Sequence, residues 1–261
     1  MIGIAQFLAD GVSAFFIGHS LVSPTLPEMV DAVLPGRVEY QVINGAPLQV
    51  QWEDSSGAEG VIGRTWLPEH PVDALVLTER IPVAETAEWH DTNGYVRKWI
   101  DLAAQGNPKV KPYLYETWQA MPQGEGVSIE PWLQQIRDDL PVWQGIADEA
   151  TRTNPEGVAP VQIIPAGQGM IRLQEAIEAG RVPGATSITD FFRDDIHPTD
   201  SGFYFVTMVH YAVLTGESPV GLSRVLMGKY GPYPAIPREQ APVLQEIAWE
   251  TVQKFQAGER P

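Results

Sequence analysis

The sequence contains no cysteine, so disulfide bonds, thiolate catalysis and cysteine-ligated zinc or iron–sulfur sites are excluded. Basic residues are also scarce, since 17 Lys and Arg stand against 33 Asp and Glu, for a formal net charge of −16. Nucleic acids and anionic membrane surfaces are bound through basic patches, so we expect neither as a partner. The 261 residues suffice for a sizeable core, and we expect one domain over residues 1–261.

Long apolar runs are missing as well. No stretch reaches the roughly 18 apolar residues of a membrane-spanning helix, so none is expected. The segment before Gly18 is fairly apolar but has no basic start and contains Asp10, and we interpret it as a lead-in and a first strand rather than a signal peptide. The compartment stays open between the cytoplasm and, for a chain whose leader was removed, the periplasm or the exterior, and the oligomeric state stays open too.

What the sequence does contain is an alternation of short apolar runs and helical patterns. The runs, each bounded by Gly, Pro or polar residues, predict five buried strands at Ala14–Ile17, Val38–Ile43, Ala74–Leu77, Val110–Tyr115 and Val161–Ile164. Helical spacing of apolar residues lies between and after them, with Pro141 expected to kink or split one helix and a last helix at about 238–256. This order predicts an α/β fold with a mainly parallel five-stranded sheet covered on both faces.

Ligand sites of such sheets lie at the carboxyl ends of the strands. Four of the predicted strands are followed there by glycine or polar residues, namely Gly18-His19-Ser20, Asn44-Gly45, Thr78-Glu79 and Glu116-Thr117-Trp118. A later loop holds Asp194 and His197 three residues apart. These segments contain the candidate site residues.

Together these residues indicate nucleophilic catalysis. A serine hydroxyl needs a nearby base, and a histidine is that base when a carboxylate holds its tautomer. Asp194-x-x-His197 places both groups in one loop, and Pro198 keeps His197 out of a helix. We therefore predict that Ser20 is the nucleophile. We expect two backbone N–H groups to donate to the oxyanion, that of Ser20, at the start of a following helix, and that of Gly45.

The same residues resemble the motifs of a known family. Gly18-His19-Ser20-Leu21 resembles the Gly-Asp-Ser-Leu motif of the SGNH/GDSL hydrolases, and Asp194 to Pro198 resembles their late Asp-x-x-His-Pro motif. Asn44-Gly45 stands where the second-motif glycine of the family would be. The resemblance implies a flavodoxin-like three-layer α/β/α fold and ester hydrolysis through an acyl-serine, without a cofactor. His19 replaces the usual Asp at a position outside the triad.

The third motif departs from the family pattern. The family has Gly-x-Asn-Asp after the third strand, with the Asn donating to the oxyanion, whereas this chain has Leu77-Thr78-Glu79-Arg80. An ionised Glu79 cannot donate a hydrogen bond. Four alternatives are open here: Glu79 is protonated, Thr78 donates instead, Arg80 offsets the charge, or the third donor is missing.

Tryptophans outside clear helical stripes bear on the substrate. They are Trp52, Trp66, Trp89 and Trp118, and they either stack on sugar rings and bury acyl chains or simply cover the edge of the core. We expect Trp118 to line the same site as Ser20 and a short acyl ester, such as an acetylated carbohydrate, to be the substrate. An O-acyltransferase with the same triad, or a carbohydrate-binding relative with weakened chemistry, are the alternatives. Five His without Cys or an HExxH motif argue against a metal site.

Overall fold

The structure is a computed structural model that describes residues 11–124 and 126–261. The expected lead-in over residues 1–10 lies outside the described residues. The chain forms two compact units. Unit 1 holds the described residues up to Tyr115 together with Val142–Ile163, and unit 2 holds Glu116–Pro141 and Ile164–Pro261. A single domain stays a prediction.

Unit 1 contains most of the sheet and the helices that alternate with it. Its elements are β1 (Ala14–Gly18), α1 (Thr25–Asp31), β2 (Val38–Val42), α2 (Leu48–Glu53), β3 (Glu59–Gly60), α3 (Gly63–Trp66), β4 (Ala74–Leu77), α4 (Val83–Trp89), α5 (Thr92–Gly106) and β5 (Lys111–Tyr115). Two further elements, α6 (Glu130–Thr153) and β6 (Gln162–Ile164), have residues in both units.

Unit 2 is mainly helical. Its elements are α7 (Ala166–Glu178), a 3-10 helix at Ile188–Phe191, α8 (Asp200–Thr215), the strands β7 (Met227–Gly228) and β8 (Gly231–Pro232), and α9 (Gln240–Gln256). Helices α7, α8 and α9 pack against one another. Thr199 caps α8, and Gly216 ends it at a φ of 73°.

The six strands form one sheet in the order β3-β2-β1-β4-β5-β6. Strand β1 pairs in parallel with β2 and β4, and β4 pairs in parallel with β5, whereas the edge strand β3 is antiparallel to β2. Without β3, the order is the 2-1-3-4-5 order of flavodoxin-like sheets. The predicted α/β fold with a mainly parallel sheet flanked by helices is confirmed. The sheet has six strands rather than five, because a two-residue strand is too short to show a periodic pattern.

The core of unit 1 lies against one face of this sheet. Alternate residues of β1 and β4 point to that face and pack with apolar side chains of α5 and of the second half of α6, and the main contributors are Phe15, Ile17, Leu75, Leu77, Val96, Trp99, Ile100, Trp143 and Ile146. Strands β1 and β4 are buried along their whole length, as expected of strands covered on both faces. Their carboxyl ends therefore lie side by side on a rigid base.

The expected effect of Pro141 is corrected in part. Helix α6 continues through Pro141 and is not split there, since buried apolar residues before and after the proline hold the helix although one backbone hydrogen bond is lost. The kink, the other expected outcome, stays a prediction. The segment from Leu226 to Pro237 contains the antiparallel strands β7 and β8. Within the described ranges, no helix combines the length and apolar character needed to cross a bilayer.

Candidate active site

The predicted site residues fall in both units. Unit 1 contains His19, Ser20, Asn44, Gly45, Thr78 and Glu79, and unit 2 contains Trp118, Asp194 and His197.

Ser20 lies in a tight turn directly after β1. Strand β1 ends at Gly18, and the N–H groups of the second and third residues after Ser20 donate to the His19 carbonyl oxygen at 2.8 and 3.1 Å. Helix α1 begins only at Thr25. The expectation that Ser20 opens this helix is wrong, because the turn occupies the His19 carbonyl and Ser23 has a left-handed φ of 46°. Ser20 is half-buried.

Gly18 packs closely against Thr78, which follows β4, and against Val22. A Cβ atom on Gly18 would lie 2.5 Å from Thr78 Cγ2 and 2.6 Å from Val22 Cγ2. Any side chain would collide with both neighbours, so the packing requires glycine at this position.

His19 links the same two strand ends through a buried ring. Its Nε2 lies 3.0 Å from the Glu79 carbonyl oxygen, and the Leu21 N–H donates to its Nδ1 at 3.4 Å. Since Nδ1 accepts, the proton is on Nε2, which donates a hydrogen bond to the backbone carbonyl oxygen of Glu79. His19 is therefore a neutral bridge between the ends of β1 and β4.

Glu79 has a fully buried carboxylate that accepts three hydrogen bonds. One oxygen accepts from the N–H of Leu48 at 3.0 Å and of Arg80 at 2.7 Å, and the other accepts from the Thr92 hydroxyl at 2.8 Å. Burial raises the pKa of Glu79, while the three hydrogen bonds and the Arg80 charge oppose that rise. Leu48 and Thr92 are the first residues of α2 and α5, so the carboxylate joins the start of both helices to the end of β4.

Thr78 has no proton left for an oxyanion. Its hydroxyl donates to the Tyr115 carbonyl oxygen at 2.8 Å, and a hydroxyl group has only one proton to donate. Thr78 and Glu79 are both buried and both support the strand ends. This geometry argues against donation by Thr78, one of the four alternatives for the third donor.

Asn44 and Gly45 form an exposed turn after β2. The N–H of Ala46 donates to the Ile43 carbonyl oxygen at 3.1 Å, and Gly45 has a φ of 69°. A positive φ at the third residue of a turn strongly favours glycine. Backbone geometry therefore accounts for Gly45, and Asn44 is exposed.

In unit 2, Asp194 and His197 form a hydrogen-bonded pair. The Nδ1 atom of His197 lies 2.8 Å from Asp194 Oδ2 and 3.1 Å from Oδ1. Asp194 Oδ1 also accepts the N–H of Ile196 at 2.9 Å and of His197 at 2.7 Å. Desolvation alone would raise the pKa of Asp194, but the hydrogen bonds from these N–H groups, the His197 ring and its charge together lower it to about 2.

This pairing determines the tautomer of His197. A carboxylate only accepts, so Nδ1 carries the proton and the lone pair of the neutral ring is on Nε2. The loop is closed by a β-bridge between Phe192 and Pro198 and by the Arg193 N–H, which donates to the His197 carbonyl oxygen at 2.9 Å. His197 lies outside α8, as the following proline predicts.

Trp118 presents no exposed aromatic surface. Its side chain is wholly buried, and its indole N–H donates to the Ile196 carbonyl oxygen at 2.9 Å. Of the two alternatives for this ring, its burial supports covering the core over stacking on a sugar, because a ring without exposed area cannot stack. That Trp118 lines the same site as Ser20 stays a prediction. Three other tryptophans are helical rather than in loops: Trp52 in α2, Trp66 in α3 and Trp89 in α4. Of these, Trp89 is 77% exposed.

Glu116 is a fully buried acid at the end of β5. Its carboxylate oxygens accept the side-chain amide of Gln168 at 2.8 Å and the Gln168 backbone N–H at 3.1 Å. Burial raises the pKa of Glu116 to about 7, and the nearby Asp139 charge adds to the rise. Among the described residues there is no cluster of three or more His, Cys, Asp or Glu side chains able to hold a metal ion.

The chain is similar in fold to solved structures. A crystal structure of a DUF4886 family protein from Bacteroides uniformis superposes with a TM-score of 0.62 at 13% identity, over 93% of this chain and 95% of that one. Two others are a putative GDSL-like lipase from Parabacteroides merdae (TM-score 0.49, 12% identity, 79% and 96% covered) and a carbohydrate esterase family 3 protein from Talaromyces cellulolyticus (0.48, 12%, 79% and 100%). No family model and no curated protein matches the sequence.

Two buried glutamines, Gln41 and Gln51, support the strand ends near Ser20 and were not predicted from the sequence. The Gln51 side chain donates to the Gly18 carbonyl oxygen at 2.5 Å and to that of Ile43 at 3.3 Å. The Gln41 side chain donates to Gln51 and accepts the Gly63 N–H at 2.8 Å. Their only sequence signal is that Gln41 is a polar residue inside a predicted strand. They hold the ends of β1 and β2 in register.

Proposed function

We propose that the protein is a serine esterase of the SGNH/GDSL type, which hydrolyses a carboxylic ester through an acyl-Ser20 intermediate. The observation that supports this most directly is the Asp194–His197 pair, in which the carboxylate holds Nδ1–H at 2.8 Å and thereby gives Nε2 the basic lone pair. A histidine oriented in this way is the general base of serine hydrolases. The position of Ser20 immediately after a central parallel strand adds support.

In the proposed reaction, Ser20 Oγ attacks the ester carbonyl carbon while His197 Nε2 takes the hydroxyl proton. The tetrahedral intermediate collapses, the alcohol leaves with the proton from His197, and the acyl group stays on Ser20. Water then attacks the acyl group with His197 again as base. The carboxylic acid leaves and the serine hydroxyl is restored.

The proposed oxyanion donors are the backbone N–H groups of Ser20 and Gly45. The Thr78 hydroxyl and the Glu79 carboxylate are engaged elsewhere, so we expect two donors instead of three. A missing donor costs roughly 3 kcal/mol in a serine hydrolase, so we expect kcat to be about a hundredfold or more below that of a three-donor enzyme.

The proposed substrate is a short acyl ester of a carbohydrate, with acetyl as the first acyl group to test. Its support is the resemblance of the motifs and the exposed indole of Trp89, an aromatic surface on which a sugar ring can stack. The second candidate is a carbohydrate-binding relative with weakened chemistry, which the engagement of Thr78 and Glu79 favours.

A fluorophosphonate probe tests the nucleophile. We expect it to label the wild type and the matched control Ser23→Ala, which lies in the same turn, and not to label Ser20→Ala. Hydrolysis of p-nitrophenyl acetate and of acetylated sugars should disappear with the same substitution. An unlabelled wild type, or a Ser20→Ala variant labelled as well as the wild type, would contradict the esterase. Sugar binding without labelling would support the second candidate.

A further inference from the structure

The segment that follows β5 contacts the loop of Asp194 and His197 at two consecutive carbonyl groups. The indole N–H of Trp118 donates to the Ile196 carbonyl oxygen at 2.9 Å, and the N–H of Met121 donates to the Asp195 carbonyl oxygen at 2.7 Å. Both carbonyls belong to the two residues that separate the acid from the histidine.

These two carbonyls belong to the peptide groups whose N–H groups bind the acid. The Ile196 carbonyl shares a planar peptide group with the His197 N–H, which donates to Asp194 Oδ1 at 2.7 Å. The Asp195 carbonyl shares one with the Ile196 N–H, which donates to the same oxygen at 2.9 Å. Each peptide group is therefore held on both sides, and a rotation of either would move an N–H away from the carboxylate.

Trp118 is itself held rigidly. Its ring meets Phe192 edge-on with centroids 5.7 Å apart, and Trp132 meets the same ring edge-on at 5.7 Å. The Trp132 indole in turn donates to the Gln119 carbonyl oxygen at 2.7 Å. Met121 donates through its backbone N–H, which a substitution of its side chain would not remove. Trp118 donates through its indole N–H, which a substitution can remove.

We propose that Trp118 is a positioning residue, which holds the peptide group between Ile196 and His197 so that the Asp194 carboxylate stays on His197 Nδ1 and Nε2 keeps its direction. Its effect on catalysis rests on the proposed esterase function, whereas its effect on the Asp194–His197 pair does not.

The test compares two tryptophan-to-phenylalanine substitutions in the full chain. Trp118→Phe removes the N–H that binds Ile196. Trp143→Phe is the matched control, because that indole is also wholly buried and its Nε1 has no hydrogen-bond partner in the described part of the chain. The readouts are the NMR resonance of the His197 Nδ1 proton, assigned by its loss in His197→Gln, then kcat and KM for an acetyl ester, and thermal unfolding.

We expect Trp118→Phe to broaden or abolish the Nδ1 proton resonance and to lower kcat between about tenfold and a hundredfold, with KM within about twofold. We expect Trp143→Phe to leave the Nδ1 proton resonance, kcat and KM unchanged. A Trp118→Phe variant with the wild-type resonance and kcat would overturn the proposal, and so would equal losses in the two variants or a wild type without the resonance. A resonance lost only in Trp118→Phe, in a protein that hydrolyses no ester, would uphold the positioning role and contradict the esterase.

Discussion

Gly18 ends β1 without a side chain, and the space that a side chain would need is already filled by Thr78 and Val22. The Gln51 side chain donates a hydrogen bond to the Gly18 carbonyl oxygen. The neutral ring of His19, the next residue, donates to the Glu79 carbonyl oxygen. These contacts leave the backbone before Ser20 a single arrangement. The direction of Ser20 therefore depends on how Gly18, His19 and Gln51 pack at this strand end.

Gly18→Ala should lower the free energy of unfolding by about 1–3 kcal/mol, since the new Cβ atom would overlap Thr78 Cγ2 at 2.5 Å. Urea denaturation measures the change. The control is Gly145→Ala in α6, where an added Cβ meets no atom within 4 Å and helix propensity favours alanine by about 0.5–1 kcal/mol. Opposite signs are expected, and a Gly18→Ala variant as stable as the wild type would contradict close packing of the strand ends.

At the level of elements, Glu79 connects a strand end with two helix starts. Its carboxylate accepts the N–H of Leu48 at the first residue of α2 and the hydroxyl of Thr92 at the first residue of α5. The position that carries the oxyanion donor in the resembled family is thus occupied here by a structural acceptor. A negative charge that faced an oxyanion would destabilise it. The structural role of Glu79 as an acceptor explains why an acid can stand at this position.

Glu79→Gln should destabilise the protein by about 1–3 kcal/mol, because an amide offers one acceptor oxygen in place of two, so at least one of the three donors would face an amide N–H group instead of an oxygen. Denaturant unfolding measures this loss, and amide hydrogen exchange should show faster opening at the starts of α2 and α5. The matched control Glu85→Gln, exposed on α4, should stay within about 0.5 kcal/mol of the wild type. Equal stability of the two variants would rule out the structural role of Glu79.

Elements with a strong local pattern could be predicted, and those without one could not. The five apolar runs gave strands within a residue of their predicted ends. Strand β3 depends on pairing with β2, and its two residues carry no pattern of their own. The turn at Ser20 replaces a predicted helix start because its hydrogen bonds and the φ of Ser23 override helix propensity.

At the scale of the whole molecule, the free energy of unfolding should depend on pH through Glu116. Ionisation of this buried carboxyl at high pH should destabilise the folded state. Its pKa rises from 4.5 to about 7 on folding, so the folded state keeps a proton that the unfolded state has lost between these values. Its contribution to stability is complete below pH 4.5 and is lost as the pH rises through about 7. The size of this loss is on the order of 3 kcal/mol.

Glu116→Gln should remove this pH dependence, because a glutamine amide does not titrate and can still accept from Gln168. Urea unfolding of both proteins at pH 5 and pH 8 measures it, and we expect the wild type to lose more stability than the variant between the two values. The exposed Glu175→Gln on α7 is the control and should follow the wild type. Parallel curves for wild type and Glu116→Gln would contradict a buried, protonated carboxyl.

The sequence by itself determined the order of strands and helices, the fold class and the spacing of Asp194 and His197, because each depends on residues close together along the chain. Tertiary structure alone decided what Thr78, Glu79 and Trp118 do. Their hydrogen-bond partners, Tyr115, Thr92 and Ile196, lie 37, 13 and 78 residues away. A polar side chain next to a strand end binds substrate or protein according to which hydrogen-bonding groups the fold brings within about 3 Å, and no local pattern encodes that distance.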